Sequence, residues 1–356
     1  MSKPISRRKF VYGSAIAAAS FGMASLIGCS SGEQAATTET DTESAEAESA
    51  ETEAAAPSTE DVVVRLAGLK GPTSMGLVKM FDDAENGLTK NQYECQVGAN
   101  ADELTPLILQ GELDILAVPA NLGAILYNNS EKSVQMLAAN MLGAIYVIEK
   151  GETISSIEDL EGRTIYTVGK GSTPEYLLSY LLAQHGLTMG EDVTVEFRGD
   201  PTEVVGLMSA GTADVIMLPQ PIVTICLGQV EGSRIALDMN EEWNALDNGS
   251  VLVTAGLIIN RAFAEAHPEQ VATTIEECKA STDWCNENVD EAAVLIEKYD
   301  IVAEPIAKVA MPMCNVVFIT GEEMKKSTQA YFEVLYDQDP ASVGGALPED
   351  DFYYEA

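Results

Sequence analysis

One stretch of this chain is written twice, and that restricts its architecture more than any other feature. "LKGPTSMGLVKMF" runs from Leu69 to Phe81, and "GKGSTPEYLLSYL" from Gly169 to Leu181. Lys70/Lys170, Gly71/Gly171 and Thr73/Thr173 stand 100 residues apart, and the same offset relates Glu103 to Glu203, Leu107 to Leu207, Gly111 to Gly211, Asp114 to Asp214 and Pro119 to Pro219. "LILQGELDILAVPAN" and "LMSAGTADVIMLPQP" also share a plan: a helix end, a glycine stop, an acidic turn residue, an apolar strand and a proline. Solenoid repeats run at roughly 20–50 residues and need at least three units, so a longer period in two copies excludes that class. Two similar lobes in one molecule fit it.

The local patterns say what each lobe is made of. "VVVRLAG", "YECQVG", "DILAVP", "VQMLAAN" and "GAIYVIEK" read as strands of the first unit, and "RTIYTVG", "VTVEFRG", "DVIML" and "RIALDM" as strands of the second. The stretches between them, such as "ADELTPLILQG", "ANLGAILYNN" and "PTEVVGLMSAG", carry helical patterns. "VLVTAGLIIN" (251–260) is a further long apolar strand, and after Arg261 the pattern turns helical. Strand and helix in alternation predict an α/β fold with mostly parallel sheets.

In such sheets ligands sit beyond the C-terminal strand ends, where helices begin. The duplicated loops fall there: 70–75 and 119–121 in one unit, 170–175 and 219–221 in the other. Two helix N-termini facing one cleft would offer free N–H groups and positive dipole ends to an acceptor-rich solute. The candidate ligand contacts are therefore Thr73, Ser74, Met75, Pro119, Asn121, Lys170, Ser172, Thr173, Glu175 and Gln220. Each also has a plainer reading. Thr173, just before Pro174, fits an N-cap; Glu175 fits a favourable first-turn acid; Lys70 and Lys170 fit solvated loop lysines; Asn121 and Gln220 fit helix caps. Trp243 suits either a cleft wall or a surface cover. "GKGST" is not a phosphate-binding loop, because that motif needs Lys followed by Ser or Thr and Lys170 is followed by Gly171.

Composition excludes several classes. Twenty Lys and Arg against 56 Asp and Glu give a formal charge of −36, which argues against nucleic acid or an anionic membrane surface as partner. Two histidines, His185 and His267, support no Ser-His-Asp or Cys-His pairing, and six cysteines without a CxxC or Cys/His cluster give no metal site. No cofactor, metal or catalytic residue is expected, and the remaining cysteines read mostly as buried free thiols. The N-terminus is separable. Arg7-Arg8, an apolar stretch and then Leu26-Ile27-Gly28-Cys29 predict a twin-arginine-type lipoprotein signal over 1–28, with Cys29 acylated. Residues 29–61, acidic and without a base or aromatic, predict a disordered tether.

"LKGPTSMG", "LILQGELDILAVPAN", "LEGRTIYTVGKGSTPEY" and "MLPQP", in an exported two-lobed chain, resemble the solute-binding components of bacterial ABC importers. The resemblance is to the nitrate/sulfonate/taurine and thiamine-pyrimidine-precursor branch of the type II periplasmic binding proteins. It implies a lipid-anchored, extracytoplasmic monomer that captures a small-molecule solute between two lobes and delivers it to an ABC permease and its ATPase. It also implies lobe 1 at 62–150 plus 257–356 and lobe 2 at 153–250, with crossovers near Lys150–Ile154 and Val251–Leu257. A receptor for another transporter type or a sensor, and an enzyme on the same fold, are the alternatives. The family's ligand chemistry does not transfer. The folded body's five arginines all lie outside the predicted cleft loops, which favours a neutral or singly charged organic solute. If the lipoprotein reading holds, Cys29→Ala abolishes metabolic lipid labelling and releases the protein or strands it at the membrane; labelling that survives the substitution would refute it.

Overall fold

The computed structural model describes residues 62–355, so the predicted signal segment (1–28), Cys29 and the tether (29–61) lie outside the described residues. The strands are β1 (Val63–Leu69), β2 (Gln92–Gly98), β3 (Ile115–Pro119), β4 (Val134–Leu142), β5 (Ile145–Lys150) and β6 (Thr164–Thr167). They continue with β7 (Thr194–Phe197), β8 (Val215–Pro219), β9 (Ser233–Asp238), β10 (Val253–Asn260) and β11 (Val316–Ile319). Helices follow the strands: α1 (Pro72–Met75), α2 (Val78–Glu85), α3 (Ala101–Leu109), α4 (Ala120–Asn129), α5 (Thr173–Gln184), α6 (Pro201–Ser209), α7 (Ile222–Gln229) and α8 (Met239–Ala245). The C-terminal part adds α9 (Arg261–Ala266), α10 (Pro268–Glu287), α11 (Val289–Lys298), α12 (Glu304–Ala310) and α13 (Gly321–Gln338). Among the described residues no helix is long and apolar enough to cross a membrane.

The strands form two sheets. One has the order β11-β4-β10-β3-β1-β2 and the other β7-β6-β8-β5-β9. The duplication is thus visible in the topology, since β2-β1-β3-β10-β4 and β7-β6-β8-β5-β9 are the same arrangement. Even the register repeats: Pro119 lies opposite Ala255, and Pro219 opposite Ile145.

The structure corrects three expectations. The sheets are mixed, not mostly parallel: β1 pairs in parallel with β2 and β3, and β6 with β7 and β8, while β4, β5, β9, β10 and β11 pair antiparallel. Secondly, β5 does not complete the first sheet. It lies in the second, between β8 and β9, just as β10 follows β9 in sequence but lies in the first sheet between β3 and β4. The last strand of each repeat is hydrogen-bonded into the other repeat's sheet. Crossing therefore occurs at Gly143–Ala144, not near Lys150–Ile154. Residues 151–154 turn back beside β5, held by Glu149, which accepts from Thr153 N at 2.9 Å and Ile154 N at 3.2 Å and takes Arg234 Nη2 at 2.8 Å. Thirdly, Trp243 walls no cleft and covers no surface. It is fully buried, 4.9 Å from the Tyr180 ring and 5.8 Å from the Tyr331 ring, with Nε1 donating to Ser250 Oγ at 3.0 Å. The strand β11 and the helices α8 and α12 carried no sequence pattern strong enough to be anticipated.

Alternation along each strand puts neighbouring residues on opposite faces. Ile115 and Ala117 pack with residues of α2 and α10, while Leu116 and Val118 join a core that also holds Val147 and Ile165 of the second sheet. Tyr331, Phe332 and Leu335 of α13 belong to that shared core, and α13 packs on α5. Burying a large apolar side chain contributes roughly 1.5–3 kcal/mol, so this helix fastens the two sheets at one side.

Burial opposes the ionisation of Glu149, but its hydrogen bonds from Thr153 and Ile154 and its pairing with Arg234 outweigh that and hold its pKa below the ordinary carboxylate value. A depressed folded pKa gives stability that is complete above the unfolded value, about 4.3, and is lost as pH falls through the folded one. Glu149→Gln is expected to cost about 2 kcal/mol at pH 7, and its melting-temperature deficit should shrink on acidification; a deficit constant down to pH 3 would contradict this account.

Candidate functional site

Between the two sheets lies a cleft of about 790 Å³. Its walls come from the duplicated strand ends. The first sheet supplies Pro119 from β3 and Asn121, Leu122 and Ile125 from α4; the second supplies Pro219 from β8, then Gln220, Pro221, Ile222 and Ile225 around the start of α7. Gly171, Ser172, Thr173 and Pro174 enter at the head of α5, and Lys70, Gly71 and Pro72 at the head of α1. The crossing segment contributes Met141, Gly143, Ala144 and Ile145, and the loop between α11 and α12 adds Ile301 and Val302.

Of the ten predicted contacts, Pro119, Asn121, Ser172, Thr173 and Gln220 line this cleft. Thr73, Ser74, Met75, Lys170 and Glu175 do not. The two copies of the repeated loop diverge for a local reason. α5 is a twelve-residue helix, whereas α1 is a single turn that ends at Gly76. Ser74 Oγ donates to Leu69 O at 2.7 Å, which folds the loop back and leaves Ser74 and Met75 fully buried. Thr73 Oγ1 points at Leu69 O, 3.4 Å away, while the Thr73 carbonyl accepts from Asn140 Nδ2 at 2.7 Å. Lys170 is exposed, and the Glu175 carboxylate accepts from Gly171 N, which fastens the loop. Capping by Thr173 does not occur either: the residue before α5 is Ser172, the residue before α1 is Gly71, and neither helix has a side-chain cap.

One polar cluster joins the two sheets. Thr173 Oγ1 is 3.5 Å from Asn121 Oδ1, which links the two sheets across the cleft, and Asn121 Nδ2 donates to Ser342 O at 3.3 Å. Burial raises the Tyr331 phenol above its ordinary pKa while the adjacent Thr173 hydroxyl opposes that, so Tyr331 is a neutral group beside Thr173. At the opposite wall Gln220 Oε1 accepts from Thr224 Oγ1 at 2.9 Å, and Gln220 Nε2 lies 3.5 Å from Met313 Sδ. Among the described residues Lys70 is the only charged side chain lining the cleft, and its ammonium pairs with Asp300. The apolar walls were missed in the sequence because Leu122, Ile125, Ile145, Ile222 and Ile225 sit in patterns indistinguishable from core, and Ile301 and Val302 lie far along the chain.

The fold and this cleft between two like sheets define a two-lobed periplasmic-binding-protein architecture. The model of the family described as "NMT1/THI5 like" matches residues 84–292, more than half of the chain, and the chain belongs to that family. Similar solved structures include an ABC transporter protein from Parabacteroides distasonis, 21% identical over 83% of this chain and 99% of that one, with a TM-score of 0.70. The periplasmic aliphatic sulphonate binding protein SsuA from Escherichia coli is 14% identical, covering 83% of this chain and 93% of that one, with a TM-score of 0.65. The alkanesulfonate-binding protein SsuA from Xanthomonas axonopodis pv. citri, bound to MOPS, is 16% identical over 83% and 99%, with a TM-score of 0.61. At these identities the likeness concerns the fold. No curated protein matches the sequence.

Gly171 has φ +73°, and a Cβ built there meets nothing within 4 Å, so the glycine is required by backbone conformation and not by crowding. Gly171→Ala should therefore cost about 1 kcal/mol of stability; a melting temperature equal to that of the unsubstituted chain would show that the loop reaches another conformation at no cost.

Proposed function

We propose that this chain is the extracytoplasmic solute-binding component of an ABC importer, capturing a small organic solute in the cleft and delivering it to the permease and its ATPase. The observation that carries the reading is the cleft itself, about 790 Å³, walled by equivalent strand-end loops of two like sheets. Pockets of this size suit a small organic molecule. The lobes are residues 62–142 with 253–355, and residues 145–238, joined through Gly143–Ala144 and the segment that leads into β10. Their approach expels water and strengthens each hydrogen bond to the solute. It also favours one lobe arrangement over others, which is how occupancy reaches the permease. The Arg7-Arg8 and Cys29 motifs support twin-arginine export and a lipid anchor, with the folded body acting as a monomer.

Binding without chemistry is supported by where the reactive groups lie. His185 Nδ1 is 2.7 Å from Glu158, away from the cleft, and the His267 ring rests 4.9 Å from that of Phe263. Cys95, Cys226, Cys278, Cys285 and Cys314 are free, and none lines the cleft. Burial pushes the thiol of Cys226 up to about 11 and that of Cys314 to about 12, which leaves them protonated and unreactive.

A panel of small solutes tested by thermal shift checks the reading. A solute that binds only the folded chain stabilises it by RT ln(1 + [L]/Kd), about 2.7 kcal/mol at a hundredfold excess over Kd. For a solute found this way, Thr173→Val should weaken binding by about 1 kcal/mol, more than it lowers the stability of the free protein, where the contact to Asn121 is long. Unchanged affinity with lowered stability would assign Thr173 a structural role only.

A further inference from the structure

We propose that the cleft takes an uncharged, largely apolar solute with a single hydrogen-bonding head, and that the head docks at the end formed by Asn121, Thr173 and Tyr331. This rests on the solute-binding reading above and specifies its ligand. Three observations carry it.

The first is charge. Among the described residues no carboxylate and no arginine lines the cleft, and Lys70 at its mouth already pairs with Asp300. A buried anion needs a paired cation or several charge-assisted donors, and a buried cation needs a carboxylate; without them the loss of water is not recovered. The chain's charge of −36 further disfavours the approach of anions.

The second is the wall. Leu122, Ile125, Ile145, Ile222, Ile225 and Ile301 surround most of the volume. A solute with polar groups distributed around its body would leave them unpaired against these side chains. An aliphatic or aromatic body would not.

The third is the polar end. Tyr331 and Ser342 are 1% and 2% exposed, yet Ser342 Oγ has no hydrogen-bond partner and the Tyr331 hydroxyl has only the Thr173 hydroxyl beside it, short of full hydrogen-bond geometry. Both adjoin groups that face the cleft: Tyr331 stands beside Thr173, and the Ser342 carbonyl takes the Asn121 amide. Native interiors leave few buried hydroxyls unpaired, and such atoms mark places where a further group completes the network. The residues come from both lobes, since Thr173 opens α5 while Asn121 and Tyr331 lie on α4 and α13. A head carrying an adjacent donor and acceptor, as in a carboxamide, satisfies Asn121 and Thr173 together and ties the lobes through itself.

The test uses the purified full chain and three probes that share one ring system: 2-naphthamide, 2-naphthoate and 2-naphthylmethylamine. Calorimetric titration should give the amide at least tenfold tighter binding than either charged probe. Tyr331→Phe keeps the ring packing; it should not lower the melting temperature of the free protein, but should weaken the amide threefold or more. A charged probe binding as tightly as the amide overturns the ligand class and leaves the binding reading standing. Amide binding unaffected by Tyr331→Phe removes that residue from the docking end and overturns the proposed location. In parallel, the chain is incubated with a metabolite extract and any retained molecule is identified by native mass spectrometry. A retained neutral, mostly apolar molecule supports the proposal, and a retained ionic one overturns it. Retention of nothing, together with no binding of any probe, overturns the solute-binding reading itself.

Discussion

The arrangement depends on one exchange of strands. β5 belongs to the first repeat in sequence and is hydrogen-bonded between β8 and β9 of the second sheet; β10 follows the second repeat and is hydrogen-bonded between β3 and β4 of the first. Every residue of β10 is buried, so its backbone groups must be paired, and only two flanking strands can pair them. Neither sheet is complete without the strand the other repeat provides. The chain must therefore cross between the sheets twice, and it does so beside the cleft. At the first crossing Gly143 and Ala144 have φ +67° and +66°. Gly143 has little alternative, since a Cβ there would lie 2.4 Å from Asn240 Cβ. Ala144 carries the strain of a left-handed conformation, on the order of 1–2 kcal/mol, which the buried ladders on either side sustain.

Because the exchanged strands run antiparallel to β3 and β8, they meet those strands at their C-terminal ends. Ala255 lies opposite Pro119 and Ile145 opposite Pro219, at the level where α4 and α7 begin. The geometry that links the lobes thus also brings their strand-end loops to one space. Two elements of the C-terminal region then bracket it. α13 packs on α5 through the shared core, and the segment around Met313 reaches the second sheet, where its carbonyl accepts from Tyr146 OH at 2.7 Å. The cleft between these brackets is apolar over most of its wall, with polar side chains at Asn121 and Thr173 and at Gln220, and Lys70 is the one charged side chain of its lining among the described residues.

The sequence was sufficient for whatever depends on local pattern. Glycine stops, prolines at strand ends and apolar runs identified "DILAVP" with β3 and "ANLGAILYNN" with α4, and the 100-residue offset disclosed two like units. It also pointed to Pro119, Asn121, Ser172, Thr173 and Gln220, because position at a strand end follows from the order of elements. It gave no sign that Thr73, Ser74 and Met75 fall outside the cleft lining, since a single hydrogen bond from Ser74 Oγ to Leu69 O turns that loop inward, and nothing in the matching letters distinguishes it from its partner.

Sheet membership was decided only in three dimensions. A strand such as "GAIYVIEK" carries the same apolar pattern whichever sheet it joins, so reading it as the end of the first unit was the natural inference and the wrong one. Its place is fixed by backbone partners more than 60 residues away in sequence, opposite Val215–Pro219 and Ser233–Asp238. The cleft's apolar wall was hidden for the same reason: isoleucines that face a solute and isoleucines that face a core have identical chemistry. What the sequence by itself determined was the set of elements, their duplication and the loops at strand ends, because these follow from residue-level preferences. What only the tertiary structure decided was which strands complete which sheet, and therefore which side chains enclose the cleft, because those depend on pairings between distant segments.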